Sequence, residues 1–151
     1  MGLRTATNEG PATPLDNPWP RIGRVPRLRR MTVQTVNETV VLHLPADGAP
    51  IGSGQDALDL VGEAWASGAE LVAVPASRLT PAFFDLRSGH AGEFVQKLVN
   101  YRMRLAVLGD ISAYVAASEA LGAFVAESNR GAHVWFLDGP EDLAGRLAMV
   151  V

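Results

Sequence analysis

From Met31 onward, apolar and polar positions follow two alternating periods. "TVQTV" and "TVVLHL" read as two strands, with Asn37-Glu38 at the turn between them. "SGQDALDLVGEAWASG" then takes the helical period: Ala57, Leu60, Val61 and Ala64 make one apolar stripe. Ser53 is a natural N-cap with Asp56 three residues on, and Gly68 stops the run. "ELVAVP" is short and nearly all apolar, the pattern of a strand covered on both faces. Thr80 followed by Pro81 predicts a helical turn carrying Phe83 and Phe84.

The second half repeats the alternation. "AGEFVQKLVNYR" predicts a helix with Ala91, Phe94, Val95, Leu98 and Arg102 on one face and a Glu93–Lys97 pair on another. "MRLAVLGD" is a buried-type strand. "SAYVAASEALGAFVAESNRG" is one helix, with Leu121, Phe124 and Val125 inward and Gly131 after its end. "HVWFL" is the last strand, and "GPEDLAGRLAMV" a final helix with Pro140 first and two acids in its opening turn. The order β-β-α-β-(α)α-β-α-β-α predicts an α/β domain: a single, mostly parallel sheet of about five strands, edge hairpin first, with helices packed on it.

Residues 1–30 break the pattern. They hold five prolines and no apolar period, so they are expected to form an extension outside the single domain at 31–151. Charge divides at the same place. Six arginines against two acids give +4 before Met31, and seven cations against fourteen acids give −7 after it. An acidic body argues against nucleic acid, because neutralising phosphates needs clustered cations. The chain has no cysteine, which removes disulfides and thiolate-held metals. No apolar run approaches the ~20 residues of a membrane span, and no signal-peptide order is present, so a cytoplasmic protein is expected.

Motifs for chemistry are sparse. "GSGQDA" (52–57) fits the G-x-G-x-x-A form of a dinucleotide loop, but "PADGAPI" separates it from its strand, and Glu70 opens the next strand where the ribose-binding acid should end it. A Ser-capped Gly-rich loop is the plainer reading. His43, His90 and His133 are dispersed, and His90 with Glu93 supplies two ligands at most, so neither metal nor cofactor is expected. No nucleophile elbow appears.

What remains is "FFDLRSGHAGEF" (83–94). In an open parallel sheet, ligands bind beyond the carboxyl ends of the strands. Asp85, Arg87, Ser88 and His90 follow one strand there and Asp110 follows another, so the five could converge on an anion or partner. The competing reading is local: glycines permit a tight helix entry and Asp110 caps the next helix. At the opposite pole, Asn100-Tyr101-Arg102 and Glu127-Ser128-Asn129-Arg130-Gly131 read as helix ends, with Asn or Gly in the left-handed position and Arg over the last carbonyls.

"FFDLRSGHAGEFVQKLVNYRMRLAVLGD" and "FVAESNRG" resemble a family of small bacterial proteins known as a domain of unknown function, number 4180 of that series. The resemblance runs from about Met31 to Leu147 and carries over no catalytic residue. The β/α order is also similar to the sulfate-transporter/anti-sigma-antagonist (STAS) module, in which a Ser or Thr at a helix start after a central strand is phosphorylated. Ser77, Thr80 and Ser88 lie in the corresponding region here, in a different local motif. Small size, the lack of a triad, metal set or nucleotide loop, and this likeness of fold together point to a non-enzymatic regulatory module that binds a protein partner, with homo-oligomerisation open. The alternative is a small enzyme or ligand-binding protein with a pocket around Asp85, Arg87, His90 and Asp110.

Overall fold

The computed structural model describes residues 31–150, so expectations about residues 1–30 lie outside the described residues. Strands β1 (Thr32–Val36) and β2 (Thr39–His43) form the expected hairpin. Asn37 and Glu38 both take positive φ (49° and 72°), the twist that a two-residue turn needs to keep its strands together. The Asn37 side-chain amide also donates to the Ala144 carbonyl at 3.0 Å, which ties the turn to a helix far away in sequence.

Helix α1 (Gly54–Ala66) begins with a full capping box. The Asp56 amide donates to Ser53 Oγ at 3.1 Å, and the Gly52 and Ser53 amides donate to Asp56 Oδ2 at 3.0 and 3.2 Å. Its apolar stripe is buried as the spacing requires. Strand β3 (Leu71–Pro75) leads through a short 3-10 turn (Ala76–Arg78) to α2 (Pro81–Phe84), capped by Thr80. A second 3-10 turn (Leu86–Ser88) enters α3 (His90–Asn100) through Gly89, whose φ of 82° suits glycine. Then come β4 (Arg104–Leu108), α4 (Ser112–Ala117), α5 (Glu119–Arg130), β5 (Val134–Leu137) and α6 (Pro140–Val150).

Four expectations change. Residues 112–130 form two helices rather than one: Ser118 adopts extended φ/ψ of −148°/112°, and its hydroxyl caps the second helix through the Leu121 amide. Glu93 does not pair with Lys97; its carboxylate lies against Gly54 instead. Arg102 itself takes the left-handed position after α3, at φ 58°. Gly131 after α5 is extended (φ −92°), and the arginine over the last carbonyls of α5 is Arg146 of α6.

The sheet is mixed rather than mostly parallel. Its order is β1-β2-β3-β4-β5, with β1 antiparallel to β2 and the remaining three pairs parallel. Parallel strands laid down in sequence, each joined by a crossover of the usual right hand, put every crossover on one face. That face carries the larger core: Leu42, Val72, Val74, Leu105, Val107 and Phe136 meet Leu60, Phe83, Phe94, Leu98 and Leu121. Phe83 packs edge-to-face on both Phe84 and Phe94, with centroids 5.4 and 5.6 Å away. The other face holds a smaller cluster of Val41, Leu71, Ala73, Ala106 and Trp135, closed by Leu143 and Leu147 of α6.

Candidate functional site

The sequence places five polar side chains after the carboxyl ends of β3 and β4. The side-chain hydrogen bonds they make all stay within six residues of sequence. Asp85 ends α2 and caps the next 3-10 turn, its Oδ1 accepting from the Arg87 amide at 3.2 Å. Arg87 Nε stands 3.9 Å from the same oxygen, but its side chain is 96% exposed, so the pair contributes little. Ser88 Oγ donates to the Ala82 carbonyl at 2.6 Å and accepts from the His90 amide at 3.2 Å, which supplies the cap that Gly89 lacks. His90 is exposed at the first position of α3. Asp110 Oδ1 accepts from the Ser112 amide at 2.9 Å, and hydrogen bonding to Ser112 holds its carboxyl below the ordinary value.

The two exits do come together. Phe84 and Tyr114 stack at 4.2 Å with 14° between their planes, which joins α2 to α4. Gly109 (φ 140°) passes so close to Ala76 that a Cβ there would sit 3.0 Å from the alanine methyl. Among the described residues, however, no polar contact joins Asp110 to Asp85, Arg87, Ser88 or His90. The strand order supplies the reason. The ligand crevice of an open α/β sheet forms where the strand order reverses and neighbouring loops diverge. This sheet advances in one direction throughout, so it contains no such reversal.

The 52–57 loop finds internal partners. The space beside Gly52 is taken by Thr80 Oγ1, 2.7 Å from where a Cβ would be, and that beside Gly54 by the Glu93 carboxylate at 2.7 Å. The close approach that a pyrophosphate would need is thus used by the chain itself. Among the described residues no three His, Asp or Glu side chains are grouped to hold a metal ion. No helix among the described residues is long and apolar enough to cross a membrane.

The residue that organises this pole is Arg78, which the sequence reading missed. It is 2% exposed and donates to the carbonyls of Pro45 (2.8 Å), Ala49 (3.0 Å) and Asp47 (3.2 Å). Gly48 makes room for it: a Cβ there would lie 2.9 Å from the guanidinium carbon. The backbone completes the attachment, Ile51 N–H donating to Arg78 O at 2.7 Å. The one available signal was an arginine within "VPASRL" directly after a buried strand.

At the opposite pole two features stand out. Arg146 lies over the Trp135 ring at 4.7 Å and donates to the Asn129 and Gly131 carbonyls, while Trp135 Nε1 donates to Gly131 O at 2.8 Å. This set closes the C-terminus of α5. Beyond it, Trp65 at the end of α1 and Tyr101 at the end of α3 meet edge-to-face, centroids 5.5 Å apart. Both are open to solvent, Trp65 58% and Tyr101 41%, and Val99 on α3 is 38% exposed.

The model of one protein family, described as a domain of unknown function (DUF4180), matches residues 36–147, well over half of the chain. The chain belongs to this family. The DUF4180 match begins at the last residue of β1 and ends within α6, so it takes in four of the five strands and both poles described above. No curated protein and no solved structure matches the chain.

Proposed function

We propose that this DUF4180 domain is a non-enzymatic, partner-binding regulatory module, acting in the cytoplasm, and that its contact surface is the aromatic corner of Trp65 and Tyr101. One observation carries the reading. A tryptophan more than half exposed, the most exposed large apolar side chain among the described residues, is braced edge-on by a second exposed aromatic and holds apolar area in water. Tryptophan and tyrosine are the residues that dominate protein contacts when a partner covers them. The partner is a protein that offers a basic surface. An arginine or lysine on the open indole face gains a cation–π contact, and a body of net charge −7 attracts it from a distance. The regulatory part of the proposal rests on the likeness of the β/α order to the STAS module, which is an analogy of fold.

The test is affinity capture from the native host, read by quantitative mass spectrometry, with three baits. A partner held by the unaltered protein and by Arg87→Ala/His90→Ala, but lost with Trp65→Ala/Tyr101→Ala, supports the proposal. A partner lost with the first double variant and kept by the second moves the contact to the carboxyl-end pole.

A second reading keeps a small-ligand site at that pole. What favours it is the Phe84–Tyr114 stack, which sets a 40% exposed tyrosine at the meeting point of both exits. It requires a small molecule whose binding is abolished by Tyr114→Ala.

A further inference from the structure

The two edges of the sheet are treated differently. At β5 the outward backbone is occupied: Phe136 N–H donates to Asn129 Oδ1 at 2.7 Å, and Phe136 C=O accepts from Asn129 Nδ2 at 3.2 Å. An asparagine side chain thus takes the place of a neighbouring strand. At β1 nothing comparable is present among the described residues. Among the described residues, its five residues pair with β2 alone. The tight turn makes Val36 and Thr39 a hydrogen-bonded pair, so Gln34 and Thr32 also bond inward, and the N–H and C=O groups of Val33 and Thr35 point away from the sheet. Edge strands are usually protected by a charge, a proline or a bulge. "TVQTV" has none of these, and Val33 is 47% exposed.

We propose that β1 is a pairing edge at which two copies of this chain join antiparallel, making one continuous sheet across a two-fold axis at Gln34. The strand is self-complementary in that register. Val33 of each copy stands opposite Thr35 of the other, so the two outward-facing residues of each strand meet and exchange four backbone hydrogen bonds. Thr32 stands opposite Val36 in the same way. Cross-strand β-branched pairs of this kind favour pairing, and a two-fold axis needs only one patch to serve both copies. A different partner strand would have to match the same register by chance. The strand carries no charge, so the acidity of the two bodies is not concentrated at the contact. The proposal is independent of the aromatic corner.

Gln34 is exposed, and on the axis it faces its own copy, which permits a decisive exchange experiment. Light scattering coupled to size-exclusion chromatography of the unaltered full chain over a concentration series should show a monomer–dimer equilibrium. Gln34→Lys and Gln34→Glu should each weaken the dimer by about fivefold or more, because like charges then stand directly opposed. Mixing the two variants should restore a dimer that contains one of each, read by native mass spectrometry. A chain that is monomeric at every concentration overturns the proposal. So does a dimer indifferent to Gln34→Lys, or a mixture that forms no heterodimer while each variant keeps its native circular dichroism.

Discussion

The Asn129 side-chain amide bonds both the N–H and the C=O of Phe136, across seven residues of sequence and a change from helix to strand. The contact holds the end of α5 to β5 and closes that edge of the sheet. Asn129→Leu should remove both bonds and leave two half-buried backbone groups without a protein partner. The expected cost is about 1–3 kcal/mol of unfolding free energy, read from chemical denaturation. An unchanged midpoint would mean that solvent replaces the amide at no cost.

Arg78 should be far more expensive to lose. Arg78→Ala removes a buried guanidinium from three carbonyls of the 45–49 loop and opens a cavity beside Gly48. A loss of about 3–5 kcal/mol is expected, as for breaking other buried charged networks. Arg78→Lys should recover little, because one ammonium cannot reproduce the planar fork. Recovery of full stability by lysine would count against the geometry described.

Arg87 should behave in the opposite way. Its side chain is almost wholly exposed and meets Asp85 only at 3.9 Å. Arg87→Ala should shift stability by no more than ~0.5 kcal/mol. Asp85→Ala, which removes a turn cap, should cost about 1 kcal/mol. A large fall for Arg87→Ala would show that it holds a structural bridge.

His43 gives the fold a pH dependence. Its Nε2 is buried without a hydrogen-bond partner among the described residues, and burial lowers its pKa from the ordinary 6.5. The unfolded chain therefore takes up a proton near 6.5 that the folded one resists. The stability is present above that value and is lost as the pH falls through it toward the folded pKa. Denaturation midpoints should fall from about pH 7.5 to about pH 5.5, and His43→Gln should flatten that part of the slope. An equal slope in the variant would assign the effect to other groups.

The parts of the fold legible in the sequence are those decided within a few residues. The Asn37-Glu38 turn, the Ser53–Asp56 capping box and the Thr80-Pro81 helix start all depend on neighbours no more than four positions away, and each stands where it was read. The break at Ser118 was hidden because Ala, Ser and Leu carry a helical period straight through it, while the serine hydroxyl caps the next turn better than it continues the last one. Arg78 was hidden for a different reason: its partners lie 29 to 33 residues earlier, and nothing local marks them.

The candidate site divides in the same way. Asp85, Ser88 and Asp110 were legible as polar residues at strand exits, and each makes a local cap. Whether they meet depends on the spatial order of the strands, which a chain of alternating elements leaves open until the sheet is seen. Trp65 was left out of the apolar stripe of its helix and Tyr101 was read only as part of a helix end, and nothing local marks that the two meet across two helices.

The most direct test of the functional reading is hydrogen exchange of the protein alone and bound to the partner captured from its host. Slowed exchange should appear in the last turns of α1 and α3, around Trp65 and Tyr101, with segments 85–90 and 109–112 unchanged. Protection confined to those two segments would contradict the account and return the function to the carboxyl ends of the strands.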